Sequence, residues 1–461
     1  MSSNPSLKPK AVSAPGKVLL AGGYLVLDRG YTGLVFGLDA RIHCYVEPIK
    51  TNSGVILSEI IVKSPQFKEA TWEYGYRLTE NDGGIEVTQL RASHAIPLTR
   101  NPFIETALSY ALTYISTFTP KISASTITIL ADTSYYSNPG TPETPSSRFL
   151  NFSVPLQSAH KTGLGSSAAL VTSFTAALLS YYLPEEIFDL SKEASLQTLH
   201  NLSQSAHCAA QGKVGSGFDV ASAVYGSCLY RRFSPSLLSS LSSPGRPFFA
   251  KQVKELVEGK EVIWDTEILK DAVKVPKGIR LVMCDVDCGS QTPGMVKQVL
   301  AWRKDNLGEA EPLWKELQQR NESLAGELTR LATTDKGEEE EEDKYAKLRD
   351  IILAIRSLIR KMSALSNVPI EPPQQTALLN AISTLPGVIG GVVPGAGGYD
   401  AVAVLVEDKE EVFEGVKKFI GGWKVDNQGS DVKIGKVGML GVREEMEGVR
   451  GEDVGIYEGW L

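Results

Sequence analysis

The sequence has no uninterrupted apolar run near the roughly 18 residues that a membrane-spanning helix needs, so no membrane partner is expected. It holds only five cysteines, Cys44, Cys208, Cys228, Cys284 and Cys288. The odd number and the lack of any C-x-x-C pair argue against a disulfide framework or a zinc ribbon and suit a reducing compartment. Positive charge is not in excess: 47 Lys and Arg face 54 Asp and Glu, a net charge of −7. That balance argues against nucleic acid as a partner, while leaving room for a local basic pocket. Residues 1–10 show no apolar core and no cleavage signature, so a secretory signal is not expected there and a cytoplasmic location is. Internal repeats are absent. So are the G-x-x-x-x-G-K-[ST] loop of P-loop enzymes and the His-Arg-Asp and Asp-Phe-Gly signatures of protein kinases.

What the chain does have is length and glycine punctuation. At 461 residues it exceeds one compact core and implies at least two domains. The Ser/Pro-rich stretch 234–247 sets the expected boundary, giving domains 1–240 and 241–461. The most informative stretch is Lys161-Thr162-Gly163-Leu164-Gly165-Ser166-Ser167-Ala168-Ala169, followed by an apolar helix. Its glycines permit a tight turn, its serines can cap the helix, and the free N–H groups of the first turn make an anion site. Lys161 adds charge at the mouth. A phosphate suits this construction, but so does an ordinary serine-capped helix with no ligand.

Elsewhere, Pro15-Gly16-Lys17 interrupts an apolar strand, and Lys17 reads either as a ligand or as a strand-edge charge. Strands are expected at 32–38, 40–46, 122–130, 262–264, 279–285 and 401–406, and a hairpin within 53–84. Residues 133–148 read as a loop, either a substrate lid or inert surface. A helix over 196–210 carries His200, His207 and Cys208, and leads into the glycine loop before Asp219. That carboxylate reads as a helix cap or as a functional group. Helices are expected at 295–302, 313–332, 345–365 and 412–419. The acidic run within a loop at about 334–344 is expected to be disordered, because like charges repel and stay solvated. The tail from Gly435 is expected to complete a sheet.

Three glycine signals stand in order: Pro15-Gly16-Lys17, Gly163-Leu164-Gly165-Ser166-Ser167-Ala168, and Pro394-Gly395-Ala396-Gly397-Gly398-Tyr399-Asp400. Together they resemble the three motifs of the GHMP kinases, with Tyr399 where many members carry glycine. Gly22-Gly23-Tyr24, Gly215-Ser216-Gly217-Phe218-Asp219, and Gly289-Ser290-Gln291-Thr292-Pro293-Gly294 are similar to the phosphomevalonate kinase family in its fungal form. The resemblance spans residues 12–406. It implies an α/β (α+β) two-domain fold, a ribosomal-S5-like domain followed by a ferredoxin-like one, with the active site in the cleft. It implies ATP and Mg²⁺, and a small-molecule substrate, 5-phosphomevalonate, on the route to isoprenoids and sterols. ATP is assigned to Lys161, Gly163, Leu164, Gly165, Ser166, Ser167 and Ala168, with Ser167 on the metal. Lys17 and Asp219 are assigned to catalysis. Substrate is assigned to Lys17, Tyr24, Lys161, His207, Ser216, Ser290, Thr292 and Gly397. The glutamate that relatives use for magnesium has no counterpart, since its place falls near Cys208. Mevalonate kinase or another small-molecule GHMP kinase is the alternative, and an inactive GHMP-fold regulator the remoter one. A monomer or weak dimer is expected.

Overall fold

Two apolar strands that meet across a glycine turn start the fold. The structure is a computed structural model that describes residues 7–49, 57–90, 99–119, 121–137, 147–270, 272–286, 292–333, 343–424 and 435–461. In chain order, the first part gives β1 (Lys10–Ala21), β2 (Gly33–Pro48), β3 (Glu59–Lys63), β4 (Thr71–Leu78), β5 (Ile85–Gln89), α1 (Pro102–Ser116) and β6 (Ser125–Ala131). Next come α2 (Ser166–Tyr182), α3 (Glu193–Gln211), α4 (Phe218–Tyr225), β7 (Cys228–Arg231), α5 (Phe249–Glu258) and β8 (Glu267–Leu269). The rest gives β9 (Ile279–Val286), α6 (Thr292–Asp305), α7 (Leu307–Thr333), α8 (Ala346–Ser366), α9 (Pro373–Ile382), β10 (Val388–Val392), β11 (Ala401–Glu407), α10 (Glu410–Gly422), β12 (Val437–Leu440), β13 (Glu444–Glu445) and β14 (Arg450–Gly451).

The first sheet runs β14-β1-β2-β6-β3-β4-β5, with β7 and β13 also paired to β2 and β8 to β7. Among the described strands, only β3 and β6 pair in parallel. The strands expected at 32–38 and 40–46 are one continuous β2, and the register of β1 against it shifts between Pro15 and Gly16. Proline has no N–H to give the ladder, so an irregularity there is expected. Helix α2 is buried on nearly every side, from Ala168 to Tyr182, as its uniformly apolar sequence requires. It packs on β1 and β2 with α1, α3 and α4 around it. Helix α1 starts with Asn101, whose side chain accepts the Ile104 N–H, and with a proline in its first turn, the usual chemistry of a helix start.

The second sheet, β10-β11-β9-β12, is antiparallel throughout. Its core joins Val282, Cys284, Val404, Val406 and Ile420. Helices α8 and α9 pack on β10, and α10 packs on β11 and β12. The mixed α/β architecture expected from the sequence is present. The helix expected at 295–302 begins earlier and ends later, as α6. Residues 262–264 form no strand: Trp264 instead packs edge-on to His200 and against Phe233, and donates its Nε1–H to the Leu256 carbonyl. Residue 240 is also not where the layers part. Helix α5 packs on α1 and α3 and β8 pairs with β7, so the chain leaves the first layer only between Leu269 and Ile279. Most of the acidic loop (334–342) and the centre of the 133–148 loop (138–146) lie outside the described residues. Among the described residues, no helix is long and apolar enough to cross a membrane.

The tail serves both sheets. β12 joins the second; β13 and β14 return to the first. The fully buried Arg41 fastens that return. Its guanidinium donates to the Ser13 hydroxyl (2.7 Å) and to the Gly448 carbonyl, and lies 4.0 Å from Glu452. Glu452 in turn accepts from Ser13 at 2.6 Å and from Arg450 at 3.0 Å. Burial pushes the Arg41 guanidinium down to about 10. Replacing Arg41 with Met removes the donor to the Gly448 carbonyl and to the Ser13 hydroxyl, and leaving buried acceptors unmatched costs about 1–3 kcal/mol. The expected outcome is a lowered urea midpoint together with faster tryptic cleavage at Arg443 and Arg450. A variant with an unchanged midpoint would mean that the tail is held by other contacts.

Candidate functional site

Between the two sheets lies a cleft of about 1080 Å³, into which all three glycine loops open. Lys17, Tyr24, Lys161, Gly163, Gly165, His207, Ser216, Asp219 and Gly397 line it, so most residues singled out from sequence converge there. Leu164, Ser166, Ser167 and Ala168 are not among its lining residues; Leu164 and Ala168 are buried. Leu164 acts through its carbonyl, which accepts the Lys17 N–H at 2.9 Å. Ser290 lies outside the described residues, and Thr292 opens α6, its side chain likewise outside them.

The start of α2 differs from the expectation in one respect. Its serines do not cap it. Gly165 is the N-cap, with φ +81°, and the helix has no side-chain cap. The first bond of the turn runs from the Ala169 N–H to the Gly165 carbonyl at 3.2 Å. The preceding N–H groups of the turn have no intrahelical partner, and the serine hydroxyls are released for other contacts. Ser167 Oγ lies 3.1 Å from His207 Nε2 on α3.

Lys17 is draped across this turn. Its Nζ donates to the Gly163 carbonyl at 3.1 Å and stands 5.8 Å from the centre of the Phe218 ring. A Cβ on Gly165 would come within 2.8 Å of Lys17 Cε and 3.0 Å of its Cγ. Glycine is therefore needed there both for the left-handed backbone and for the lysine stem. Burial lowers the Lys17 pKa, and the charge of Asp219 opposes that shift. Asp219 is the second residue of α4. Its Oδ1 accepts the Val220 N–H at 3.0 Å, and its Oδ2 lies 4.0 Å from His207 Nε2. One oxygen thus serves the first turn of α4, whose N-cap is Gly217, and the other is turned toward α3.

The third loop docks on the first. A Cβ on Gly23 would fall 2.0 Å from the Gly395 carbonyl oxygen, and the Gly395 N–H donates to the Leu19 carbonyl at 2.9 Å. The Tyr24 hydroxyl donates to the Ala396 carbonyl at 2.6 Å, and burial raises its pKa. The cleft also holds carboxylates that received no role from the sequence. Asp285, at the end of β9, accepts from the Ser137 hydroxyl at 3.1 Å and lies 3.7 Å from His160; Asp400 opens β11 onto the same cleft. The signal for Asp285 was a carboxylate at the end of an apolar strand. Cys208 faces away from the cleft. Its sulfur takes a hydrogen bond from Gln204 at 3.2 Å and packs with Phe233, Leu256 and Trp264. The α3 residue that faces Ser167 is His207. Among the described residues, no cluster of three His, Cys, Asp or Glu is arranged to hold a metal.

Gly165→Ala should therefore cost at least roughly tenfold in nucleotide affinity, because the backbone strain, about 1–2 kcal/mol, adds to displacement of Lys17. Gly212, also left-handed at φ +67° but with open space around it, is the control. Gly212→Ala should lower the melting temperature similarly and leave nucleotide affinity unchanged. Equal affinity losses in both variants, read by calorimetry, would deny the Lys17 contact its role.

Comparison with known proteins points one way. Residues 148–227 match the family described as GHMP kinases N terminal domain. The chain is 54% identical over 456 residues to the phosphomevalonate kinase ERG8 of Gibberella zeae, covering 98% of each. It is 34% identical to the peroxisomal phosphomevalonate kinase of Arabidopsis thaliana, over 85% of this chain and 89% of that one. A solved structure of Streptococcus pneumoniae phosphomevalonate kinase, in complex with phosphomevalonate and AMPPNP, superposes with a TM-score of 0.58 at 16% identity, covering 88% of this chain and 95% of that one.

Proposed function

The chain belongs to the phosphomevalonate kinases of the GHMP kinase superfamily, and from that premise we propose how its cleft works. The enzyme transfers the γ-phosphate of ATP to 5-phosphomevalonate, giving ADP and 5-diphosphomevalonate, a step of the mevalonate route to isoprenoids. The observation that carries the mechanism is Lys17, held over the start of α2 and facing Asp219.

Phosphoryl transfer asks a protein for alignment and charge cancellation rather than covalent work. The N–H groups at the start of α2, with Gly163 and Gly165, cradle the triphosphate, and Lys161 meets its charge at the mouth. Lys17 cancels charge where the two phosphates approach. The acceptor phosphate is already ionised near neutral pH, its second pKa being about 6, so no base has to remove a proton from it. Asp219 holds the Lys17 ammonium charged against its burial. The donor set fits Mg²⁺, which favours oxygen and keeps several waters: Ser167 would supply one hydroxyl oxygen, phosphates and water the rest. Bound there, the cation would offset phosphate charge. The acceptor phosphate needs a second anion site, for which Lys161, Ser216 and the residues about Ser290 and Thr292 at the start of α6 are the candidates. We place the reaction in the cytoplasm, in keeping with the four free, buried cysteines Cys44, Cys208, Cys228 and Cys284, and the enzyme as a monomer or weak dimer.

A coupled ADP-release assay over mevalonate, phosphomevalonate, homoserine and galactose tests the function. Phosphomevalonate should be turned over and mevalonate rejected by about 10⁴-fold, as sites that hydrogen-bond a missing group do. Activity on mevalonate alone would refute the assignment. Asp219→Asn should cut turnover by roughly a hundredfold or more, the scale of losing a positioned charge. Because Asp219 raises the Lys17 pKa, its loss lowers that pKa further. The alkaline limb of the turnover-pH profile should then move to lower pH, while the acid limb stays. Loss of the acid limb instead would make Asp219 a base.

A further inference from the structure

We infer that His207, expected from the sequence to contact substrate, is a positioning residue that aims the Ser167 hydroxyl at the divalent cation; this rests on the kinase reading above. His207 is 2% exposed, with its ring 5.6 Å from that of Phe103 on α1. Its Nε2 points to the junction of the two loops: 3.1 Å from Ser167 Oγ, 3.3 Å from Gln211 Nε2 and 4.0 Å from Asp219 Oδ2.

The ring is held on both sides, by the Phe103 ring and by the Gln211 side chain one helical turn on. Its Nε2 is within hydrogen-bond distance of Ser167 Oγ, and that contact fixes the rotamer in which the serine presents its oxygen. Groups that orient a metal-binding atom in this way commonly change metal affinity by 10–100-fold when removed.

Cys208, near the place of the missing carboxylate, points away into its apolar cluster, and the α3 side chain opposite Ser167 is the His207 imidazole.

The test measures nucleotide binding in the absence of acceptor, so it is independent of substrate identity. Calorimetric affinity for a non-hydrolysable ATP analogue is compared with Mg²⁺ and with EDTA, for wild type, His207→Leu, His207→Gln, Ser167→Ala and the Leu/Ala double variant. His207→Leu should lose at least about tenfold of the Mg²⁺-dependent gain while keeping the metal-free affinity. His207→Gln, which keeps an acceptor, should recover most of it. In the Ser167→Ala background the His207→Leu effect should vanish, a non-additivity that a general loss of stability does not produce. The inference is overturned if His207→Leu keeps the wild-type gain, if the effects of the two substitutions simply add, or if the variant's only defect is a raised KM for phosphomevalonate. Failure of the kinase reading is a separate result: wild type would then release no ADP with phosphomevalonate.

Discussion

The site depends on the contact between the stem of Lys17 and the bare Cα of Gly165. A buried ammonium is costly, and here it is held by a backbone carbonyl on one side and faces a carboxylate on the other. That arrangement is possible only because the strand carrying Lys17 is bonded directly to the loop, through the Leu164 carbonyl. The irregularity at Pro15 and Gly16 lies just before it. The glycine loop at Gly163 to Gly165 and the Lys17 side chain are therefore one unit, built from the first strand and the central helix of the first layer.

The second layer is attached to this unit by short-range contacts at the cleft. Gly23 lets the Gly395 carbonyl approach, Tyr24 ties down Ala396, and Asp285 reaches across to Ser137 and His160. All three contacts join second-layer groups to first-layer segments around the cleft. The returning tail, held by Arg41, adds a further link between the layers. A kinase that aligns two phosphates needs both walls fixed to within fractions of an ångström, since misplacement of reacting groups is expensive.

Much of this was legible in the sequence. The glycine loops, Lys17 and Asp219 announced themselves because left-handed turns and isolated charges in apolar runs leave a local mark. Helix α2 was equally plain from its apolar run. What was not legible depends on long-range approach. Nothing near Ser167 says that Gly165 rather than a serine would cap the helix, and nothing near His207 says which helical neighbour would face the loop. Residues 262–264 have the composition of a strand but spend their aromatic ring covering α3 and Phe233. The short strands β13 and β14 are too brief to show a period, and their partner lies four hundred residues away.

The central claim is that the acceptor in this cleft is a phosphate, brought up to ATP beside Lys17. Phosphorus NMR of a reaction containing ATP, Mg²⁺ and 5-phosphomevalonate tests it directly. The account predicts loss of the acceptor's monophosphate singlet and growth of a coupled pair of diphosphate resonances, in step with ADP. A product showing two uncoupled monophosphate singlets would mean transfer to a hydroxyl, and would contradict it.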